Sequence, residues 1–352
     1  MKNGWRTGFG LSAILAGAIC LSGCAGSPTV APSYANTAPA TAVYMISHVD
    51  TAITEYSAVP ANDGSLIRTI TYLPSYYGGP LATDSAGQIY VAVASDPIDR
   101  LNPGEISIYP PNSAGGATPS RTININSDEV CTLAVDPAGL LYVAINTGSA
   151  EDAPPPMVSV YSATASGTTT PLRTLQLTNV FPTGVSDIAA DATGNIYVAG
   201  YRRTGNGGVI AVYPPAANGP STPIRTITLT NSDVYGVAVD PEGNIFANVC
   251  PGCYSSSGAG FVIEEFAPGE TGEATPINTI NLSVGAPWKI ALGGPVRLDG
   301  AGNIFTSLVL SSTDTPEPNF VVYGFGSAGK GNAAPTVQIA PTNGYSSYFA
   351  VN

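Results

Sequence analysis

The chain has 352 residues, including 40 Gly and 31 Pro; 44% are hydrophobic and only 10% are charged. That is enough apolar chain for a large core, and its turn-forming content fits an all-β protein better than a helical one. The formal net charge of −12 argues against nucleic-acid binding, and a single histidine, His48, excludes every mechanism that needs two.

At the N-terminus, Lys2 and Arg6 form a positive region before an apolar run, 8–21, too short for a comfortable transmembrane span. The run ends in Leu21-Ser22-Gly23-Cys24, which resembles the bacterial lipobox. The resemblance implies a lipoprotein signal peptide over 1–23 and acylation of Cys24, whose two or three chains anchor the protein in a membrane of the cell envelope, outside the cytoplasm. Ala25 follows the cysteine, not Asp, which implies the outer membrane where the source has two. An ordinary secretory signal with a chance cysteine is the plainer alternative. The rest of 24–40 is small residues and proline without charge or period, which reads as a flexible tether.

From Thr41 to Asn352 the chain repeats itself. The segment TAVYMIS (41–47) matches the second strand of a unit, AITEYSA (52–58) the third and SLIRTITY (65–72) the fourth. Five full units follow, each opened by a strand, an Asp-x-x-Gly turn and a second strand: LATDSAGQIYVA (81–92), LAVDPAGLLYVA (133–144), IAADATGNIYVA (188–199), VAVDPEGNIFAN (237–248) and VRLDGAGNIFTS (296–307). The turn residues Asp84, Asp136, Asp191, Asp240 and Asp299 are spaced by 52, 55, 49 and 59, and Asn352 falls 53 beyond the last. Asp accepts hydrogen bonds from backbone amides two residues on, and Gly takes the positive φ that closes the turn. A third strand such as ISIYPP (106–111) and a fourth such as TPSRTINI (118–125) complete each unit. Four short antiparallel strands per fifty-odd residues make a β-propeller blade. The last segment, YFAVN (348–352), supplies the first strand that the N-terminal three lack, so six blades are expected, with the ring closed by both termini. The D-x-x-G-N-I-Y-V-A wording resembles NHL-type and related bacterial β-propeller repeats. That resemblance covers 41–352 and implies the fold; such propellers include binding scaffolds, lyases and lactonases.

The repeated Arg68, Arg121, Arg173 and Arg225 read as structural, charging outer strands against edge pairing and covering apolar faces with their stems. The turn aspartates sit in separate blades, too far apart for one calcium cage. Among the residues just before the turns only Asp187 and Arg297 are charged, so the Glu, Asn and Asp that hold a divalent metal in six-bladed lactonases are not assembled there. Streptogramin lyases use a histidine pair that this chain lacks. Cys250 and Cys253, in Cys-Pro-Gly-Cys, favour a loop-closing disulfide over a zinc or redox site, leaving Cys131 as a buried thiol. His48 stands at a strand end, and no motif gives it a partner. No cofactor is implied.

Loops that return from fourth to first strands surround one mouth of the central channel. They carry Tyr76, Tyr77, Asp128, Asp233, Tyr235 and Trp288, aromatics beside carboxylates that suit a protein or glycan ligand. Tyrosines that pack the loops over the channel are the structural alternative. The expectation is a monomeric, membrane-anchored propeller that binds or scaffolds without catalysis; the alternative is an enzyme of the lactonase or lyase type with its site at the channel mouth.

Overall fold

In a computed structural model the described residues are 41–47, 51–59, 64–71, 77–94, 104–125, 130–146, 154–177, 180–181, 184–201, 207–253, 260–312, 319–341 and 345–352, with backbone alone for 77, 78, 94, 201 and 345–347. The chain divides into two compact units, 1–37 and 38–352, and every described residue belongs to the second. Cys24 and His48 lie outside the described residues.

The Asp-x-x-Gly turns form as their chemistry dictates. In the turn of Asp191, Oδ1 accepts from the backbone N–H of Thr193 and Asn195, each at 2.9 Å, and Gly194 takes φ +82°. The strands on either side then pair antiparallel. In chain order the first blade is Tyr77–Thr83, Ile89–Ala94, Glu105–Tyr109 and Arg121–Asn124. The second is Val130–Val135, Leu141–Ile145, Met157–Tyr161 and Arg173–Gln176. The third is Val185–Ala190, Ile196–Tyr201, Gly207–Tyr213 and Arg225–Thr230. The fourth is Ser232–Val239, Ile245–Pro251, Val262–Phe266 and Asn278–Asn281. The fifth is Lys289–Leu298, Ile304–Ser311, Asn319–Phe325 and Val337–Ile339.

The sixth blade joins the ends of the domain: Tyr345–Val351 is its inner strand, followed outward by Ala42–Ser47, Ala52–Ser57 and Leu66–Thr71. Val43 pairs with Val351, Tyr44 with Ala350 and Met45 with Phe349, the closure expected from the split repeat. Each inner strand lies beside the next in an unbroken cycle, from Tyr345–Val351 through the five others and back. The architecture is an all-β, six-bladed β-propeller.

The core follows from this geometry. Six separate clusters of buried side chains fill the six seams between blades. Wedge-shaped seams are narrow at the axis, where the chain places Ala82, Ala134, Ala189, Ala238 and Ala350, and wider outward, where Tyr90, Tyr142, Tyr197, Phe266 and Phe325 are buried. Small side chains inside and aromatics outside fit the wedge between neighbouring sheets and let six of them close around one axis.

Two further devices hold neighbouring blades at their outer edges. At five seams a glycine before the outer strand of one blade pairs in parallel with the outer strand of the blade before it: Gly115 with Ile70, Gly167 with Ile123, Gly219 with Leu175, Gly272 with Ile227 and Gly331 with Ile280. Gly331 donates to the Thr279 carbonyl and accepts from the Asn281 amide, both at 2.6 Å. All five adopt φ between +58° and +74°, which other residues enter only with strain. At the sixth seam Gly64, φ +69°, sits against Gln338, whose carbonyl oxygen would lie 3.1 Å from an added Cβ. The outer strands are therefore partly paired, not bare edges guarded by charge.

The repeated arginines act differently from the edge-blocking role expected of them. Arg121 places its guanidinium 5.8 Å from the Tyr90 ring centre, donates to the Tyr90 hydroxyl (3.3 Å) and donates to the Ala165 carbonyl of the next blade (2.8 Å). The Tyr90 hydroxyl in turn donates to the turn carboxylate of Asp84 (3.1 Å). Arg225, Tyr197 and Asp191 repeat the thread, as do Arg173, Tyr142 and Asp136. In the closing blade Arg68 bonds Tyr44 and forms an ion pair with the buried Glu55. The pairing is strict within the chain: blades with Phe246 or Phe305 at the tyrosine position carry Asn278 or Val337 in place of arginine. Burial and the nearby Asp84 push the Tyr90 hydroxyl up to about 12, so it stays a donor at neutral pH.

Deleting Tyr348–Asn352 strips half the inner strand from the sixth blade and frees the edge of Ala42–Ser47. The expected result is aggregation or loss of a single cooperative thermal transition. A truncated chain melting at the temperature of the intact one contradicts closure by this strand.

Candidate functional site

The central channel is lined by the ends of all six inner strands, mostly Ala, Val and Leu, around a cavity of about 180 Å³. Among the described residues that line it Arg297 alone is charged, and it reaches the buried Asp187 beside the cavity. Arg297 holds Asp187 through both guanidinium nitrogens, Nη1 to Oδ2 at 2.8 Å and Nη2 to Oδ1 at 3.2 Å. Asp187, 1% exposed, also accepts from the Thr132 hydroxyl (2.8 Å) and the Val237 amide (3.0 Å). One carboxylate thus ties blades two, three, four and five together across the axis. Cys131 and Tyr348 lie near it. Burial first, then Asp187, pushes the Cys131 thiol up to about 12, and its Sγ donates to the Ala144 carbonyl (3.4 Å). A thiol held in that state is no nucleophile at neutral pH. Burial likewise raises the Tyr348 hydroxyl, helped by Cys131 and Asp187. Asp187 and Arg297 thus fasten the ring, both oxygens of the carboxylate being engaged by Arg297, Thr132 and Val237.

The turn aspartates are occupied too. Besides the backbone amides, Asp191, Asp240 and Asp299 each accept from the carboxamide of the Asn four residues on, at 2.7 Å. Asp191 is held below the usual carboxylate range by Asn195 and Thr193, against the opposing effect of burial. Among the described residues no group of His, Cys, Asp and Glu is arranged to hold a metal ion.

Of the expected mouth residues, Tyr76 and Asp128 lie outside the described residues, and Tyr77 is described by its backbone alone, at the start of the first blade. Asp233, Tyr235 and Trp288 lie around the fourth blade and its seam with the fifth. Asp233 sits opposite Cys250, which forms a disulfide with Cys253 that closes the end of the second strand (Cα–Cα 5.6 Å). Tyr235 tilts against Phe261 with ring centres 5.4 Å apart. Tyr235 and Trp288 both pack on the apolar cluster between the fourth and fifth blades.

Trp288 also lines an open groove of about 460 Å³ at that seam. Its lining joins Val284 and Trp288 of the connection before the fifth blade to Leu310, Val321, Tyr323, Asn319 and Gln338 of that blade. This concavity lies among the outer strands of the fifth blade, so Trp288 and the channel-lining residues serve different cavities. Asn319, Tyr323 and Gln338 escape a loop-by-loop reading because they sit on strands. The usable signal is the 59-residue interval from Asp240 to Asp299, the longest in the chain, which betrays added residues before the fifth blade.

Replacing Asp187 by Ala leaves the Arg297 guanidinium, the Thr132 hydroxyl and the Val237 amide without their shared acceptor. Denaturant unfolding is expected to show a loss of about 3–5 kcal/mol, partly recovered when Arg297→Met is added to Asp187→Leu. A loss below about 1 kcal/mol contradicts a structural role for the pair.

No protein-family profile matches this chain, and no curated protein matches it in sequence. Among solved structures, a Lactobacillus plantarum protein shares 15% identity, with 89% of this chain and 98% of that one covered, at TM-score 0.49. A luciferin-regenerating enzyme shares 14% identity over 85% of this chain and 91% of its own, also at TM-score 0.49. A putative gluconolactonase shares 13% identity over 78% and 85%, at TM-score 0.42. Likeness at this level adds nothing to what the strand pairing establishes, a six-bladed β-propeller.

Proposed function

We propose that this chain is an exported, lipid-anchored propeller that binds a ligand without transforming it. The observation that carries this reading is the chemistry of the groove at the fourth–fifth seam. Its lining is aromatic, aliphatic and carboxamide: Trp288, Phe320, Tyr323, Val284, Leu310, Asn319 and Gln338 among its members. Among the described residues the one ionisable side chain in that lining is Tyr323, and burial raises its hydroxyl, so it is not a base near neutral pH. Such surfaces hold a ligand by contact area and hydrogen bonds. The charged side chains of the channel are meanwhile engaged with each other, which favours binding over catalysis on the axis as well.

The anchor follows from the lipobox-like ending at Cys24 and the proline-rich tether after it. A ring anchored at a membrane suits a receptor or scaffold better than a soluble catalyst.

Two measurements test these parts separately. Cys24→Ala is expected to abolish incorporation of labelled palmitate and to release the chain from the membrane fraction; undiminished labelling contradicts the anchor. Metal analysis of the purified protein is expected to find no divalent ion at stoichiometric level. One tightly bound ion per chain would instead favour an enzyme of the lactonase kind.

A further inference from the structure

We propose that the face of the ring carrying the Asp-x-x-Gly turns docks on the lipid surface in which the chain is anchored, through aliphatic side chains at the start of its outer strands. The inference rests on the reading of Cys24 as a lipid anchor and states which way the ring sits on the membrane.

Two observations meet on that face. The first is where the chain enters the ring. Thr41, the first described residue, donates to the turn carboxylate of Asp299 (2.8 Å), and its carbonyl accepts from the Ala58 amide (2.9 Å). The domain is thus joined to everything before it at the turn end of the sixth blade. Residues 25–40 separate that point from Cys24 and span at most about 60 Å, at about 3.6 Å per residue. A connection of that length holds the ring at an effective concentration of about millimolar over the membrane, so a weak contact suffices to dock it.

The second is exposed apolar surface. Among the described residues the exposed large apolar side chains are Leu66, Ile67, Leu172, Ile224, Ile277 and Leu292. All but Leu292 stand at the turn end of an outer strand, 51–61% exposed, and four of them directly precede Arg68, Arg173, Arg225 and Asn278. Register sets their height. The amides of Leu172, Ile224 and Ile277 donate to the carbonyls of Val160, Val212 and Glu265, equivalent residues of three third strands, each at 2.8 Å. The same register in blades arrayed around one axis puts these side chains at one level of the rim, the arrangement that meets a flat surface. One aliphatic side chain left in water is ordinary; the same choice in four of six blades, on the end where the chain enters, points to a common apolar contact. The connections on this end are nearly uncharged as well. Residues 110–120, 162–172, 214–224, 267–277 and 326–336 carry only Glu270, Glu273 and Lys330, and the turns add no basic residue. Without a basic cluster to call for anionic lipid, a zwitterionic surface is the one that fits.

The chain contains its own reporters. Its lysines are Lys2, which falls within the signal peptide, Lys289 and Lys330. Lys330 lies in a connection on the turn face, and Lys289 opens the inner strand of the fifth blade at the opposite end; both are exposed. The lipidated full-length protein in phosphatidylcholine vesicles is labelled with a membrane-impermeant amine-acylating reagent. Mass spectrometry then gives the ratio of Lys330 to Lys289 labelling, against that of the Cys24→Ala chain in buffer. Anchoring is expected to lower the ratio about fivefold, as for a face undocked about a fifth of the time. Leu172→Ser, Ile224→Thr and Ile277→Thr, made singly and together, install the residue types that Ser120 and Thr336 supply at the same position in the first and fifth blades. The triple variant is expected to restore the ratio with the melting temperature unchanged, and each single variant to restore part of it. With acyl chains found on the Cys24 peptide, a ratio that anchoring leaves unchanged or raises, or one that all these variants leave low, overturns the docking face and spares the anchor. A Cys24 peptide without acyl chains refutes the anchor itself, and the docking face falls with it.

Discussion

Everything in this structure depends on closing a ring of six sheets with a chain that has two ends. An open array of blades leaves one inner strand and one seam without a partner, and the apolar faces there would meet water. The closing blade answers both needs, because Tyr345–Val351 pairs with Ala42–Ser47 in the same register that the other blades use internally. The joint is reinforced across both of its seams. Thr41 donates to the turn carboxylate of Asp299 on one side, and Thr83 donates to the Val351 carbonyl on the other. Stability is therefore shared around the circle: each seam cluster has two blades to draw on, and no blade is terminal.

The same constraint explains how polar groups are used. Near the axis, Asp187 and Arg297 link blades that do not adjoin through side chains elsewhere. At mid-radius, tyrosine hydroxyls join the turn aspartates to the outer arginines. At the perimeter, glycines in left-handed backbone geometry stitch five of the outer strands to the blade beyond. Charged side chains such as Arg121, Arg225, Asp187 and Arg297 are thereby assigned to the frame, and no described residue lining the groove beside Trp288 is charged.

The fold was legible because its rule repeats. Asp at the turn, Gly three residues later and the T-P-x-R approach to the outer strand return in unit after unit, and a strand missing at one end is found at the other. What links one unit to the next was not legible. The partner of Gly167 is Ile123, more than forty residues earlier, and the partner of Arg121 beyond its own blade is the Ala165 carbonyl. Such contacts follow from how sheets stack, which a pattern of strands does not state. The candidate site was legible in part. Trp288 stands out as a large aromatic in a connecting segment, but its neighbours Asn319, Tyr323 and Gln338 reach it only through the packing of one blade's outer strands. Loop order points Trp288 to the channel mouth, and its packing on the seam between the fourth and fifth blades is a contact that loop order does not state.

The central claim is that the terminal strand is as integral to the ring as any internal one. Native-state hydrogen exchange tests it without altering the protein. The amides that pair Val43 with Val351 and Met45 with Phe349 are expected to exchange as slowly as those pairing Ile188 with Val198 in the third blade, through the same global opening. Exchange of the closing strand that is faster by orders of magnitude, while internal blades stay protected, would contradict a ring closed by its two ends.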